Sequence, residues 1–202
     1  TDMIEPALVV DIKKIAEVRK VTEEKDGSFR IGAAVTGAEL KEHARLKAVW
    51  PGVVEGANLI GSTQVQGRAT MGGNLCNASP AADSVPGLIA AGAKAVIVGP
   101  KGRREVPVED VVTGVRKLSL AKGELVVAFV LPPKGKHAGD AYLRFIPRTE
   151  MDIAVVGCGV TLSLDDAGTC TAAKVALGAV AERALVVPDA AKALVGTKVD
   201  AA

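Results

Sequence analysis

The chain has 202 residues, 49% of them apolar but only 2% aromatic, and a net charge of +2. That length buries a real core built from Val, Ala, Leu and Ile. The interspersed charges lack the basic clustering of a nucleic-acid surface, and no apolar run nears the roughly 18 residues of a membrane span.

Thr1-Asp2-Met3 runs at once into a strand-like segment, Ala7–Ile12, and the chain stops soon after a helix-like Leu194; both termini read as cut relative to a natural subunit. Phe29–Val35 reads as a strand. Thr36 then caps a helix to Ala44, with Glu39 placed three residues on as in a capping box. Residues 47–62 hold a helix carrying Val53, Val54, Ala57 and Ile60 at helical spacing. A further short helix runs from Pro86 to about Ala91, ending at Gly92. Ala95–Val98 and Arg103–Val108 pair as a hairpin across Gly99-Pro100-Lys101-Gly102. Glu109–Gly114 is a helical or looped excursion, and Glu124–Leu131 is a strand ended by Pro132-Pro133.

Pro133–Gly139 has linker chemistry. It divides the chain into residues 1–135 and a small α+β unit over 139–202. That unit has strands at 141–146, 153–164 and 172–180, a turn at Asp165–Gly168, and a helix from Pro188 lying across the sheet.

The chemistry concentrates in one stretch, Ala69-Thr70-Met71-Gly72-Gly73-Asn74, followed by Asn77-Ala78-Ser79-Pro80-Ala81-Ala82-Asp83. Adjacent glycines permit positive φ and bring backbone N–H groups close to a bound anion. Thr70, Asn74, Asn77 and Ser79 add polar side chains, and Asp83 suits a ribose hydroxyl. The pattern reads as a nucleotide grip. The alternatives are a plain glycine-rich turn or bulge for Gly72-Gly73 and a helix cap for Asp83. Cys76, Cys158 and Cys170 are scattered without C-x-x-C spacing, and His43 and His137 stand far apart, so no metal set is expected. The odd, scattered cysteines fit a reducing, cytoplasmic setting. No catalytic nucleophile or base pair stands out.

The run Gly61–Asn74, with Gln64, Thr70, Gly72 and Gly73, continuing to Ser79-Pro80-Ala81-Ala82-Asp83, resembles the FAD-binding medium subunit of the molybdenum hydroxylases, of carbon monoxide dehydrogenase and xanthine dehydrogenase type. Arg148 with Asp152-Ile153-Ala154 fits the start of that family's C-terminal domain; the two charges alone could be a surface ion pair. The resemblance implies an α+β chain: the second part of a PCMH-type FAD-binding domain, then a small C-terminal domain with a three-stranded antiparallel sheet and helices. It places Thr70, Met71, Gly72, Gly73 and Asn74 at the FAD pyrophosphate, with Asn77 beside them and Asp83 near the cofactor's sugar. Ile60 and Val126 fall at apolar contacts, and Arg144 where many relatives carry a lysine near the flavin. Thr1, Asp2 and Met3 match only the end of the family's first pyrophosphate loop. The implied function is electron transfer: FAD on this chain, the molybdenum cofactor on a large partner subunit and 2Fe–2S clusters on a small one. The rival is a scaffold subunit that keeps the fold without FAD.

Overall fold

The computed structural model describes residues 6–148 and 151–199; Thr1, Asp2 and Met3 lie outside the described residues. The expected strand over Ala7–Ile12 is not formed. Leu8, Val9 and Val10 are exposed, and the chain enters two 3-10 turns, Ile12–Lys14 and Ala16–Arg19. An apolar run becomes a strand only when a neighbour takes up its backbone hydrogen bonds.

Strands β1 (Val21–Glu23) and β2 (Phe29–Gly32) form a hairpin. Thr36 caps α1 (Gly37–Glu42): its hydroxyl accepts the Glu39 amide, and the Glu39 carboxylate accepts the Thr36 amide at 2.8 Å. Two helices, α2 (Ala44–Val49) and α3 (Pro51–Asn58), replace the single one expected over 47–62, because Pro51 takes a first-turn position and starts a new helix. They are followed by α4 (Thr63–Gln66), α5 (Met71–Cys76) and α6 (Ser84–Ala90). The hairpin β3 (Lys94–Gly99) and β4 (Gly102–Pro107) forms in register. A 3-10 turn and a small hairpin, β5 (Val112–Gly114) with β6 (Lys117–Leu118), lead to β7 (Leu125–Leu131).

The strands assemble as an antiparallel sheet in the order β1-β2-β7-β3-β4. Its central strand, Leu-Val-Val-Ala-Phe-Val-Leu, is apolar throughout because both faces are covered. Phe29, Ile31, Ile97 and Phe129 point into the main core with Val53, Leu75 and Leu88 of the helices. Val96 and Ala128 meet Val18 of the 3-10 turns on the other face.

The second half contains β8 (Ala138–Phe145), β9 (Val156–Leu164), β10 (Cys170–Gly178), β11 (Leu185–Val186) and α7 (Pro188–Leu194). Its sheet order is β11-β10-β9-β8, so a short edge strand joins the three expected ones. Helix α7 lies against β10, while α3 packs against β8 and α6 against β9 and β10. The helices come very close: a Cβ on Gly159 would sit 2.4 Å from the Pro86 carbonyl oxygen. Below the linker segment, Lys134 and Asp140 form a buried ion pair. Lys134 also donates to Val49 O at 2.7 Å and stands 4.5 Å over the Trp50 ring, while Asp140 accepts the Val53 amide at 3.1 Å.

Candidate functional site

The paired glycines lie in the first turn of α5, not in a loop, and neither takes a positive φ. Thr70 caps that helix, its hydroxyl accepting the Gly73 amide at 3.0 Å. The Gly72 amide donates to Ala33 O at 3.2 Å, which holds the helix against the chain beyond β2. Close approach explains the residue: a Cβ on Gly72 would be 2.5 Å from Ala33 O. Gly73 is exposed, and a Cβ there would meet only the Thr70 hydroxyl oxygen, at 3.1 Å.

Beside this turn lies a cavity of about 340 Å³. Ala33, Ala34, Thr70, Gly72 and Gly73 line it, and Ile12, Leu120, Leu125 and Val126 supply apolar surface. Lys13, Arg68, Glu124 and Cys76 complete the lining. A mostly apolar concavity with a few polar groups has the character of a small-molecule site. Arg104 binds the Glu124 carboxylate at 2.8 and 3.0 Å, and that bond, joined by the Ala121 amide, holds its pKa down to about 2. Arg68 has no ion-pair partner among the described residues. Burial pushes the Cys76 thiol up, so it is a protonated, weakly nucleophilic group. A larger cavity, about 520 Å³, lies beside the Lys134–Asp140 pair. Both of its cations are already paired, Arg45 with Glu23 and Lys134 with Asp140, whereas Arg68 of the smaller cleft is not among the described residues, so the smaller cleft is the better candidate for an anionic ligand.

Asp83 occupies the N-cap position of α6, but its side chain makes no capping hydrogen bond. Its carboxylate is 8% exposed and turns toward β8, where Oδ1 accepts the Tyr142 hydroxyl at 3.1 Å and Oδ2 accepts Arg144 Nη1 at 3.0 Å. The same Arg144 nitrogen donates to Leu59 O at 3.0 Å. Burial pushes the Asp83 carboxyl above its ordinary value, and the adjacent Arg144 opposes that rise. Burial, reinforced by the Asp83 charge, raises the Tyr142 phenol, so it remains a donor.

The structure therefore brings Thr70, Gly72, Gly73 and Val126 together at the cleft, and Asp83 with Arg144 at a second place. Asn74 links the two: its Oδ1 accepts both the amide and the hydroxyl of Ser84, at 3.1 and 2.7 Å. Met71 is core, Ile60 is half-buried after α3, and Asn77 is exposed at the C-terminal end of α5. Arg148 and Asp152 pair at 3.0 Å on the surface. Ala33, Ala34 and Leu120 of the cleft, and Tyr142 beside Asp83, carry no motif. Arg68 sits inside the motif, where its charge was a usable signal. Among the described residues no helix is long and apolar enough to cross a membrane.

Residues 1–134 match a family described as the FAD binding domain in molybdopterin dehydrogenase, and residues 141–202 one described as the CO dehydrogenase flavoprotein C-terminal domain. The xanthine dehydrogenase FAD-binding subunit of Escherichia coli O157:H7 is 38% identical over 174 residues, covering 86% of this chain and 59% of that protein. The carbon monoxide dehydrogenase medium chain of Hydrogenophaga pseudoflava is 32% identical over 181 residues, covering 90% of this chain and 62% of the relative. A solved structure, reconstituted CO dehydrogenase from Oligotropha carboxidovorans, superposes with a TM-score of 0.87 at 31% identity, over 94% of this chain and 65% of that one. The chain thus spans about three fifths of the length of these relatives.

Proposed function

Because the chain belongs to the FAD-binding subunits of the molybdenum hydroxylases, we propose that the cleft beside α5 holds part of an FAD molecule and that the subunit relays electrons through it. The observation that carries this reading is the cleft itself: the residues of the glycine motif form its wall, next to two cations and an apolar surface. These residues fit the group. Gly73 presents bare backbone where a phosphate must come close, and Arg68 and Lys13 offset diphosphate charge. Ile12, Leu120 and Val126 offer an apolar wall to a flat ring and keep water from it. In this reading Asp83, held beside Tyr142 and Arg144, accepts a sugar hydroxyl of the same ligand. Bound flavin supplies a carrier that takes up two electrons and passes them on; the protein supplies position and electrostatics.

In the same reading, residues 1–135 form the cofactor domain and 139–202 the C-terminal domain, supported by the two family matches on either side of the linker. Electrons arrive from 2Fe–2S clusters on a small partner subunit, after substrate oxidation at the molybdenum cofactor of a large one. They leave to an external acceptor. The rival, a scaffold without FAD, draws on one observation: the Gly72 and Gly73 amides already donate within the fold. Purified full-length protein separates the two. Visible flavin absorbance, with FAD released on denaturation, is the expected result. A preparation that stays colourless in excess FAD would overturn the proposal.

A further inference from the structure

Tyr142 belongs to no motif, yet its hydroxyl reaches Asp83 Oδ1 at 3.1 Å while Arg144, two residues along the same strand, binds Oδ2 at 3.0 Å. Two donors on two different oxygens fix the plane of a carboxylate as well as its place. The packing around them is built for this. A Cβ on Gly157 would lie 2.3 Å from the Tyr142 hydroxyl, and one on Gly159 would strike Pro86 in the first turn of α6. Either side chain would part Asp83 from Tyr142. From the other side, Asn74 ties Ser84, the residue after Asp83, to the helix that lines the cleft.

The geometry points to Tyr142 as a positioning residue for the cofactor site: together with Arg144 it orients the Asp83 carboxylate, whose remaining lone pairs accept a hydroxyl of the ligand's sugar chain. This inference rests on the FAD reading above. An ionised carboxylate offers about four acceptor positions, so the two internal bonds leave acceptor capacity unused. Arg144 alone would hold one oxygen and leave the other free to swing. The phenol closes that freedom without adding charge, and it stays protonated because burial and the neighbouring carboxylate both oppose its ionisation.

The experiment titrates the flavin-stripped, full-length subunit with FAD across a pH series, comparing wild type, Tyr142→Phe and Asp83→Asn. The charged and titratable groups around the carboxylate are Tyr142 and Arg144 of β8, then Glu55 of α3, which accepts the Tyr142 amide, and Cys158 of β9. Affinity in the wild type falls on the acid side as Asp83 takes up a proton. Loss of the phenol's hydrogen bond favours that proton, so Tyr142→Phe moves the acid limb to higher pH and weakens FAD about tenfold, equivalent to about 1.4 kcal/mol. Asp83→Asn binds weakly at every pH and shows no acid limb. Tyr142→Phe with wild-type affinity and an unmoved limb overturns the inference while leaving FAD binding intact. Should that variant not fold, Asp83→Asn still decides: an acid limb that persists in it removes Asp83, and with it the role of Tyr142. A wild type that takes up no FAD fails at the earlier step and defeats the FAD reading itself.

Discussion

The two glycines of α5 have different jobs, and substituting each by alanine separates them. In Gly72→Ala the new methyl would sit 2.5 Å from Ala33 O and 2.8 Å from Ala33 Cβ, roughly 1 Å short of an ordinary contact. The obstacle is backbone, and Ala33 is itself fixed by its amide bond to Val127 O at 2.9 Å. The helix must therefore move, drawing Met71 and Leu75 from a core in which both are almost fully buried. Overpacking of this kind costs about 2 kcal/mol. With a urea slope of about 2 kcal/mol per molar, the midpoint drops by about 1 M. In Gly73→Ala the methyl meets only the Thr70 hydroxyl at 3.1 Å, and the helix gains up to about 1 kcal/mol from the exchange. Its stability holds or rises, while FAD affinity falls about tenfold (about 1.4 kcal/mol) because the methyl stands at the cleft. Urea melts paired with FAD titrations read both quantities. Equal stability for Gly72→Ala and wild type, or undiminished FAD binding by Gly73→Ala, would refute the division of roles.

Two more predictions concern the surroundings of the site. Lys134→Met strands the buried Asp140 carboxylate and is expected to cost about 3 kcal/mol; a thermal melt should fall by about 10 °C, and an unchanged melt would show the pair to be idle. The Glu124 pKa is held down to about 2 by Arg104, so its contribution to stability is present above its ordinary 4.5 and lost as pH falls through about 2. Arg104→Gln is accordingly less stable than wild type near neutral pH, and the gap between their urea midpoints closes on the acid side; a gap that is constant with pH would rule out this ion pair as its cause.

Where sequence reading worked, the signal was local. The Thr36–Glu39 capping box and the β3–β4 hairpin around Gly102, which takes φ of +107°, each depend on neighbours a few residues away. Where it failed, a distant partner decided. The segment Met71–Cys76 contains two glycines and reads as a loop, yet it is a helix because Thr70 caps it and the core buries Met71 and Leu75. Ala7–Ile12 had the apolar content of a strand and lacked a neighbour among the described residues. Asp83 was legible as a functional carboxylate, but its partners lie 59 and 61 residues away and left no periodic mark. The same holds for Ala33 and Leu120, which reach the cleft only once the sheet has formed.

The central claim is that FAD occupies the cleft beside α5, and Cys76 reports on it because this residue lines that cleft. Alkylation of Cys76 is followed by mass spectrometry at alkaline pH, with and without saturating FAD. FAD should slow its modification at least several-fold. Equal rates at Cys76 with and without bound FAD would place the cofactor elsewhere and contradict the account.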